Sequence, residues 1–414
     1  MKIGSLRQLD YWIGRPVCWS ITAIYRIKKI FVEKAALSDP KKILFIKLFG
    51  LGSLVLAVPS INAVKRKYPN SSLYFLTFKE NEAVLNILGL IPSQNIFTVR
   101  KDSVLHFFGD VSHCLFALIK DRIDVVVDFE FFSRFTAILS FFIRSRYRIG
   151  FYGFHTEGLK RGSFIDYQVN YNHTLHTARV FFTLLKPLGI HTKDYDPSLP
   201  VIRPSEGFRA KLSIMMKEAN VSCCPDLIKQ WVIINPNTSD LIELRKWPDN
   251  NFVRLIQLLL EASGSLGVIL IGSESEYSYA ASIRSMSVAG DTGARIVNLA
   301  GKTGISDLID LFHFADLMIT NDSGPAHLAS LTGIRSIVLF GPETPDLYAP
   351  LGENSKCVYL GMDCQPCVTI YNSKLSYCHD NVCLQSIEPE QVLLLALKSL
   401  AETAPPRVPL ESGA

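Results

Sequence analysis

Leu317-Met318-Ile319-Thr320-Asn321-Asp322-Ser323-Gly324-Pro325-Ala326-His327 reads as a short apolar strand that breaks into a polar turn and re-enters as a helix. The run Leu317–Thr320 suits a strand covered on both faces, as strands of parallel sheets are. Gly324 permits close backbone approach, and Pro325 suits the first helical position, where its missing N–H is not needed. The unpaired N–H groups of that first turn favour an anion, a phosphate above all. The plainer reading is that Asp322 or Ser323 simply caps the helix.

Outward from this point the same rhythm repeats. On the near side, strands are expected at Trp231–Ile234, Val268–Ile271, Val297–Leu299 and Ser336–Phe340, with helices at Phe252–Leu260, Tyr277–Met286, Ile305–His313 and Ala326–Thr332. Earlier in the chain come strands at Ile43–Ile46, Ser72–Phe78, Asn95–Val99 and Ile123–Val127. Helices fall between them, around Val55–Val64 (with Pro59 near its start), Ala83–Leu88, Phe107–Ile119 and Phe131–Ile143. This βαβα order implies an α/β fold of parallel, doubly wound sheets, two Rossmann-like domains facing a cleft. The expected divisions are an amphipathic segment (1–40), a first sheet domain (41–200), a linker (201–230), a second sheet domain (231–387) and a C-terminal helix and tail (388–414). No short-period repeat is present.

Length and composition agree. A chain of 414 residues, 48% hydrophobic and 20% charged, is globular and too long for one ordinary core. Mean hydropathy is +0.21, yet no apolar run is long enough to span a bilayer; Phe131–Ile143 is short and carries Arg134. The net charge is +5, and residues 1–47 alone hold ten Lys/Arg against three Asp/Glu. The basic character belongs to one end, so a nucleic-acid partner is not expected. That end mixes Tyr11, Trp12, Trp19 and Tyr25 with Arg15, Arg26, Lys28 and Lys29, and Trp19, Ala23, Ile27 and Ile30 follow helical spacing. It reads as a helix lying on an anionic membrane surface, or as one packed on its own protein. It lacks the form of a secretory signal, so the expected place is the cytoplasm, at the inner face of the membrane, with mostly reduced cysteines.

In doubly wound sheets ligands sit beyond the carboxyl ends of the strands. In the second half, four such ends carry small, polar or cationic residues. They are Asn235–Ser239 with Arg245 and Lys246 close behind, Gly272–Glu276, Ala300–Thr303, and Asn321–Gly324. Cations offset phosphates, small residues allow approach, and an acid can accept from ribose hydroxyls, so the set suits a nucleoside diphosphate. Gly301-Lys302-Thr303 is not a P-loop, because Ile296 stands where the earlier glycine is required. Gly50-x-Gly52 is not a dinucleotide fingerprint, because Val55 replaces its third glycine.

These pieces together resemble glycosyltransferase family 9, the ADP-heptose:lipopolysaccharide heptosyltransferases. The matching stretches are Lys42–Pro59, Asn235–Pro248, Ile269–Glu276, Asn298–Thr303, Thr320–Ala329 and Val338–Pro345. The resemblance implies a GT-B fold, an inverting transfer from a nucleoside diphosphate sugar such as ADP-heptose, no metal required for catalysis, and a lipopolysaccharide or lipid-linked saccharide as acceptor. It places Asp322, Ser323 and Gly324 at the donor diphosphate with Arg245 or Lys246 as charge partner. Thr238 or Ser239 would add hydroxyl contacts, Glu276 would lie near the ribose, and Lys302, Thr303 and His327 complete the donor-side set. Gly50 and Gly52 fall on the acceptor-side loop.

One departure concerns the chemistry. Family members carry Gly-Asp in that loop, the aspartate being the expected base; here the pair is Gly52-Ser53. A serine has no useful basicity alone. Glu130 is the best-placed substitute and Asp128 the second; the leaving diphosphate could also assist. Two other readings follow: a sugar-nucleotide binder without transferase activity, and a nucleotide-sugar epimerase.

Three further groups invite assignment. Cys364, Cys367, Cys378 and Cys383 have spacing that a structural zinc could use, with free thiols or a disulfide as alternatives. Arg144, Arg146 and Arg148 are expected as a basic rim after a buried helix. His173 and His176 read as surface or fold residues.

Overall fold

In the computed structural model, residues 8, 10–31, 37–131, 133–152, 161–220, 222, 227–238, 242–370, 372 and 374–402 are described. The chain divides into two compact units, Met1–Pro197 and Ser198–Ala414.

The first unit runs α1 (Gly14–Phe31), β1 (Lys42–Ile46), α2 (Leu51–Lys67), β2 (Ser72–Phe78), α3 (Glu82–Leu88), β3 (Ile96–Val99), α4 (Val104–Asp121), β4 (Val125–Asp128), α5 (Arg134–Phe142), β5 (Tyr147–Phe151), β6 (Tyr167–Val169) and α6 (Thr177–Thr183). The six strands are all parallel, in the order β3-β2-β1-β4-β5-β6. Both faces are covered. Leu44, Ile46, Leu76 and Val126 meet Phe107, Cys114 and Leu118 of α4 and Leu139 and Ile143 on one side. On the other, Phe45 stacks on Phe129, which packs on Phe181 of α6. Double coverage is why these strands read as unbroken apolar runs rather than alternating ones.

The second unit runs α7 (Phe208–Ala219), β7 (Gln230–Asn235), α8 (Asp249–Ala262), β8 (Leu266–Leu270), α9 (Tyr277–Ser287), β9 (Ile296–Asn298), α10 (Ile305–Phe314), β10 (Leu317–Asn321), α11 (Gly324–Ala329), β11 (Arg335–Leu339), α12 (Pro345–Tyr348), β12 (Ser355–Val358), α13 (Val382–Gln385) and α14 (Pro389–Ala401). Its parallel sheet has the order β12-β11-β10-β7-β8-β9. Counted from its own first strand, each sheet has the same order, so the architecture is repeated although no sequence repeat is visible. In each, the chain reverses its direction of growth beside the first strand, between β1 and β4 and between β7 and β10. Strand ends part at such a switch point and leave room for a ligand.

Several expectations need revision. The stretch expected as a linker, 201–230, holds α7, whose Phe208, Leu212 and Met216 are buried and which packs against α10 and β9. The C-terminal α14, set apart with the tail in the expected divisions, belongs to the second core, where Val392 and Ala396 are buried. Pro59 lies in the middle of α2, because that helix starts directly after Gly50. Strand β5 is not among the strands expected from the sequence. Its second residue, Arg148, is buried and ion-paired with Asp166 at 3.1 Å, so it does not belong to a basic rim; Arg144 and Arg146 are exposed. A cation in a strand breaks the apolar pattern that periodicity detects.

Helix α1 is amphipathic, with separate inward and outward sides. Cys18 and Ile21 pack on Ala137, Phe164 and Ile165, and the Tyr25 hydroxyl donates to Asp166. The stripe of Trp19, Ala23 and Ile27 faces outward, with Trp19 77% exposed. Ile30 lies among residues whose side chains are not described.

Candidate functional site

At the switch point of the second sheet, the strand ends are tied together by buried amides. Asn235 Nδ2, at the end of β7, donates to Thr320 Oγ1 and Ser323 Oγ, each at 3.1 Å. Asn321 Nδ2 donates to the Pro236 carbonyl at 3.0 Å, and its Oδ1 accepts from Trp247 N at 3.0 Å. Asn237 Nδ2 donates to the Ile271 carbonyl at 2.9 Å. These bonds satisfy polar groups removed from water, where an unmet one costs about 1–3 kcal/mol, and they hold three loops in fixed relation.

The charged residues sit on this frame. Arg245 Nη1 is 3.2 Å from Asp322 Oδ2 and 3.0 Å from Glu343 Oε2, and Lys374 pairs with the other oxygen of Glu343. Both carboxylates are buried. Burial pushes Asp322 up to about 6 against the pull of Arg245. For Glu343, burial acts upward, but Lys374 and Arg245 outweigh it and hold the group below its ordinary value. Burial alone would lower Arg245, yet Asp322 and Glu343 raise it, so it stays a cation. The four charges balance, and Arg245 is locked in one orientation.

The geometry separates Arg245 from Lys246, which sequence left as alternatives. Arg245 joins Asp322. Lys246 turns away, with Nζ 3.2 Å from the centre of the Tyr279 ring and 3.7 Å from Asp249. The capping reading of Asp322 and Ser323 is also answered: no side chain caps α11, and the Ser323 hydroxyl bonds Asn235 and Thr320 instead. Gly324 opens α11 and His327 is buried within it.

The other residues expected on the donor side lie on the neighbouring turns and on α11. Glu276 Oε2 accepts from Ser273 N and Oγ at 2.6 and 2.8 Å, closing the turn after β8. Gly301 has φ +72°, and a Cβ there would stand 2.9 Å from Glu274 Cα, so only glycine lets the two turns meet. Lys302 is exposed, and Thr303 and Thr238 are half-buried. Ser239 lies outside the described residues. Glu343 and Lys374 were not anticipated. Glu343 directly follows Phe340-Gly341-Pro342, a stretch that signalled the family, but nothing in its spacing announces an ion pair with residue 245.

At the switch point of the first sheet, Gly50 turns the chain with φ +86° into α2, and Ser53 N donates to its carbonyl at 3.0 Å. Gly52 is buried and Ser53 half-buried. Both carboxylates expected as the base are engaged in holding this loop. Glu130 Oε1 accepts from Lys47 Nζ at 2.9 Å, Leu48 N at 2.8 Å and Phe49 N at 2.9 Å. Asp128 pairs with fully buried Arg161 and accepts from Glu130 N at 2.9 Å. Burial raises the Asp128 carboxyl despite Arg161. Register explains the meeting: Ile46 pairs with Asp128, so the residues beyond each strand end are neighbours.

The four cysteines have separate surroundings in this structure. Cys378 Sγ donates to the Asp380 carbonyl at 2.9 Å, Cys383 is buried with its thiol pushed up to about 11 by burial, and Cys364 is exposed. Among the described residues, no group of three or more His, Cys, Asp or Glu is gathered to hold a metal, and the thiols are free. His176 accepts from Ala178 N at the start of α6.

Residues 118–378, more than half of the chain, match the model of glycosyltransferase family 9 (heptosyltransferase). Lipooligosaccharide heptosyltransferase 2 of Campylobacter jejuni is 35% identical over 100 residues, 24% of this chain and 30% of that protein. The chain thus spans about a third of the length of such relatives. Among solved structures, a family 9 glycosyl transferase from Veillonella parvula has a TM-score of 0.69 at 18% identity, covering 89% of this chain and 99% of the other. The Escherichia coli ADP-heptose lipopolysaccharide heptosyltransferase II has a TM-score of 0.66 at 20% identity, covering 87% and 98%. At such identities the structures speak for the fold, which is GT-B-like, and the model match speaks for the family. The chain belongs to glycosyltransferase family 9.

Proposed function

We propose that this protein is an inverting glycosyltransferase that moves a heptose-like sugar from a nucleoside diphosphate donor, ADP-heptose being the best match, to a lipopolysaccharide or lipid-linked saccharide acceptor. It would work in the cytoplasm, peripherally at the inner face of the membrane. The observation that carries the reading is Arg245, fixed at the switch point of the second sheet by Asp322 and Glu343. A preset cation acts on charge that develops as the sugar–phosphate bond breaks without having to reorganise at that moment. Ser323 and Gly324 stand beside it, and Glu276 lies on the turn after β8, within the donor-side set. An acceptor hydroxyl would attack the anomeric carbon from the face opposite the departing diphosphate, inverting that centre. No step in this scheme needs a metal.

Ser53 and the engaged state of Glu130 favour one alternative, a protein that binds the sugar nucleotide without transferring it. The same experiment decides both. ADP and ADP-heptose are expected to raise the melting temperature, and ADP-heptose with a truncated lipooligosaccharide is expected to release ADP and lengthen the glycan. Stabilisation without transfer would establish the binder; failure of any nucleotide sugar to stabilise would reject the donor site itself.

A further inference from the structure

One layer of the first unit carries more outward apolar surface than its fold requires. Helices α4 and α5 lie side by side on one face of the sheet, with Phe107 and Phe135 5.4 Å apart. Helix α1 continues the layer, packed on Ala137, Ile138 and Phe141 of α5. Its inner side is accounted for. Its outer side shows Trp12 (74% exposed, just ahead of α1), Trp19 and Ile27 at one end, and Leu105 (85%), Phe108 and Phe116 at the other. The first three recur at helical intervals of seven and eight residues, and the second three at three and eight, so each set forms a single stripe. Scattered apolar residues on a surface are ordinary; two such stripes on helices of one layer are not.

Cations outnumber acids around them, although Asp102 lies exposed beside His106 just ahead of α4 and Asp121 ends α4 at 4.0 Å from Lys42. Arg15 and Arg26 on α1, Lys120 at the end of α4, and Arg144 and Arg146 after α5 are exposed. Two acids of the layer are already paired, Asp110 with Arg100 at 2.8 Å and Asp10 with Arg134 at 3.5 Å. Tryptophans beside cations, above an apolar stripe, suit the headgroup region of an anionic bilayer.

We infer that the outer side of the α1–α5–α4 layer is a membrane-docking face, in which Trp12, Trp19 and Ile27 of the α1 stripe and Leu105, Phe108 and Phe116 of α4 enter the interface of an anionic bilayer together. This deepens the peripheral placement given above, and identifies α4 as a second element of contact that the basic N-terminal composition does not announce. Neither helix crosses the bilayer: among the described residues no helix is long and apolar enough to do so.

The two remaining tryptophans provide an internal control, since Trp231 and Trp247 are buried in the second unit. With the full chain and phosphatidylglycerol–phosphatidylcholine vesicles containing brominated lipid, Trp12 and Trp19 emission should be quenched. A Phe116→Trp reporter in a Trp12→Phe/Trp19→Phe background should be quenched as well. Leu105→Ser/Phe108→Ser/Phe116→Ser, and separately Trp12→Ser/Trp19→Ser, should each weaken vesicle partitioning by about tenfold or more, in line with loss of buried apolar area, with unchanged melting temperature and unchanged stabilisation by ADP. Quenching at Trp12 and Trp19 but not at position 116 would overturn the shared face, leaving α1 as a lone anchor. Equal binding to pure phosphatidylcholine would overturn the anionic requirement. Absence of vesicle binding, or loss of self-association rather than of vesicle binding in the α4 variant, would overturn the membrane as occupant. Transfer to a soluble acceptor, measured in parallel, fails only if the transferase reading is wrong.

Discussion

Arg245 Nη1 lies 3.0 Å from Glu343 Oε2, joining two loops 98 residues apart in the chain. The pair is the hinge of a four-charge cluster, because Lys374 depends on the same carboxylate and Asp322 on the same guanidinium. Glu343→Gln should therefore destabilise the protein by about 3–5 kcal/mol, the range found when a buried ion pair loses one partner. Arg245→Met should do likewise, and the double variant should cost less than the two single changes together, which chemical denaturation of all three would measure. Additive costs would mean that the two residues act independently.

Asp322 predicts a pH signature. Its folded value of about 6 lies above the ordinary 3.8, so between about pH 4 and pH 6 the folded state binds more protons than the unfolded chain. Stability from this group is thus present at low pH and lost as pH rises through 6. Asp322→Asn removes the titration, so the melting temperature of the parent protein should fall relative to that of the variant across this window and run parallel above it. A constant difference from pH 4 to pH 7 would contradict the assignment.

Glu130 is expected to position the loop rather than to take a proton. Its Oε1 already accepts three hydrogen bonds from Lys47, Leu48 and Phe49. Glu130→Gln keeps an accepting oxygen but leaves buried Lys47 without its countercharge, so it should cost about 3–5 kcal/mol of stability, with turnover reduced less than about a hundredfold, the lower range for a lost general base. A larger loss in turnover with unchanged stability would restore Glu130 as the base.

Tyr25 ties α1 to the sheet through Asp166, which also holds Arg148. Burial, then the bond to Asp166, pushes its phenol up to about 12, so it remains a donor at all ordinary pH values. Tyr25→Phe should cost about 1–3 kcal/mol, the value of a bond to a charged group, and should raise amide exchange in α1 while leaving that of the second unit unchanged.

Gly301→Ala should loosen the proposed donor site without touching a charged group. The new Cβ would meet Glu274 Cα at 2.9 Å on a backbone with φ +72°, a strain of about 1–3 kcal/mol. The expected result is a raised KM for the donor with a smaller change in kcat; an unchanged KM would show that the turns after β8 and β9 need not meet.

Much of the architecture was legible in the sequence because hydrophobic burial is a local signal. Val232, Ile319 and Val338 announce strands covered on both faces, and the alternation with helical spacing announces the parallel order. Loop chemistry at the strand ends was legible too, since Asp322-Ser323-Gly324-Pro325 and Gly301 carry their conformational demands in their residue types. What only the tertiary structure decided were matters of direction and partner. Sequence placed Arg245 and Lys246 side by side, and the fold sent one to Asp322 and Glu343 and the other to Tyr279. It offered Glu130 as a base, and the register of β1 against β4 brought that carboxylate under the backbone of the neighbouring loop. It identified an amphipathic N-terminal helix, and only packing on α5 showed that Trp19 and Ile27 form the outward side while Cys18 and Ile21 face in. The physical reason is the same in each case. Burial of apolar residues is encoded along the chain, whereas an ion pair between residues 98 positions apart, or the choice of which helix face meets a neighbour, depends on which surfaces the completed sheet brings together.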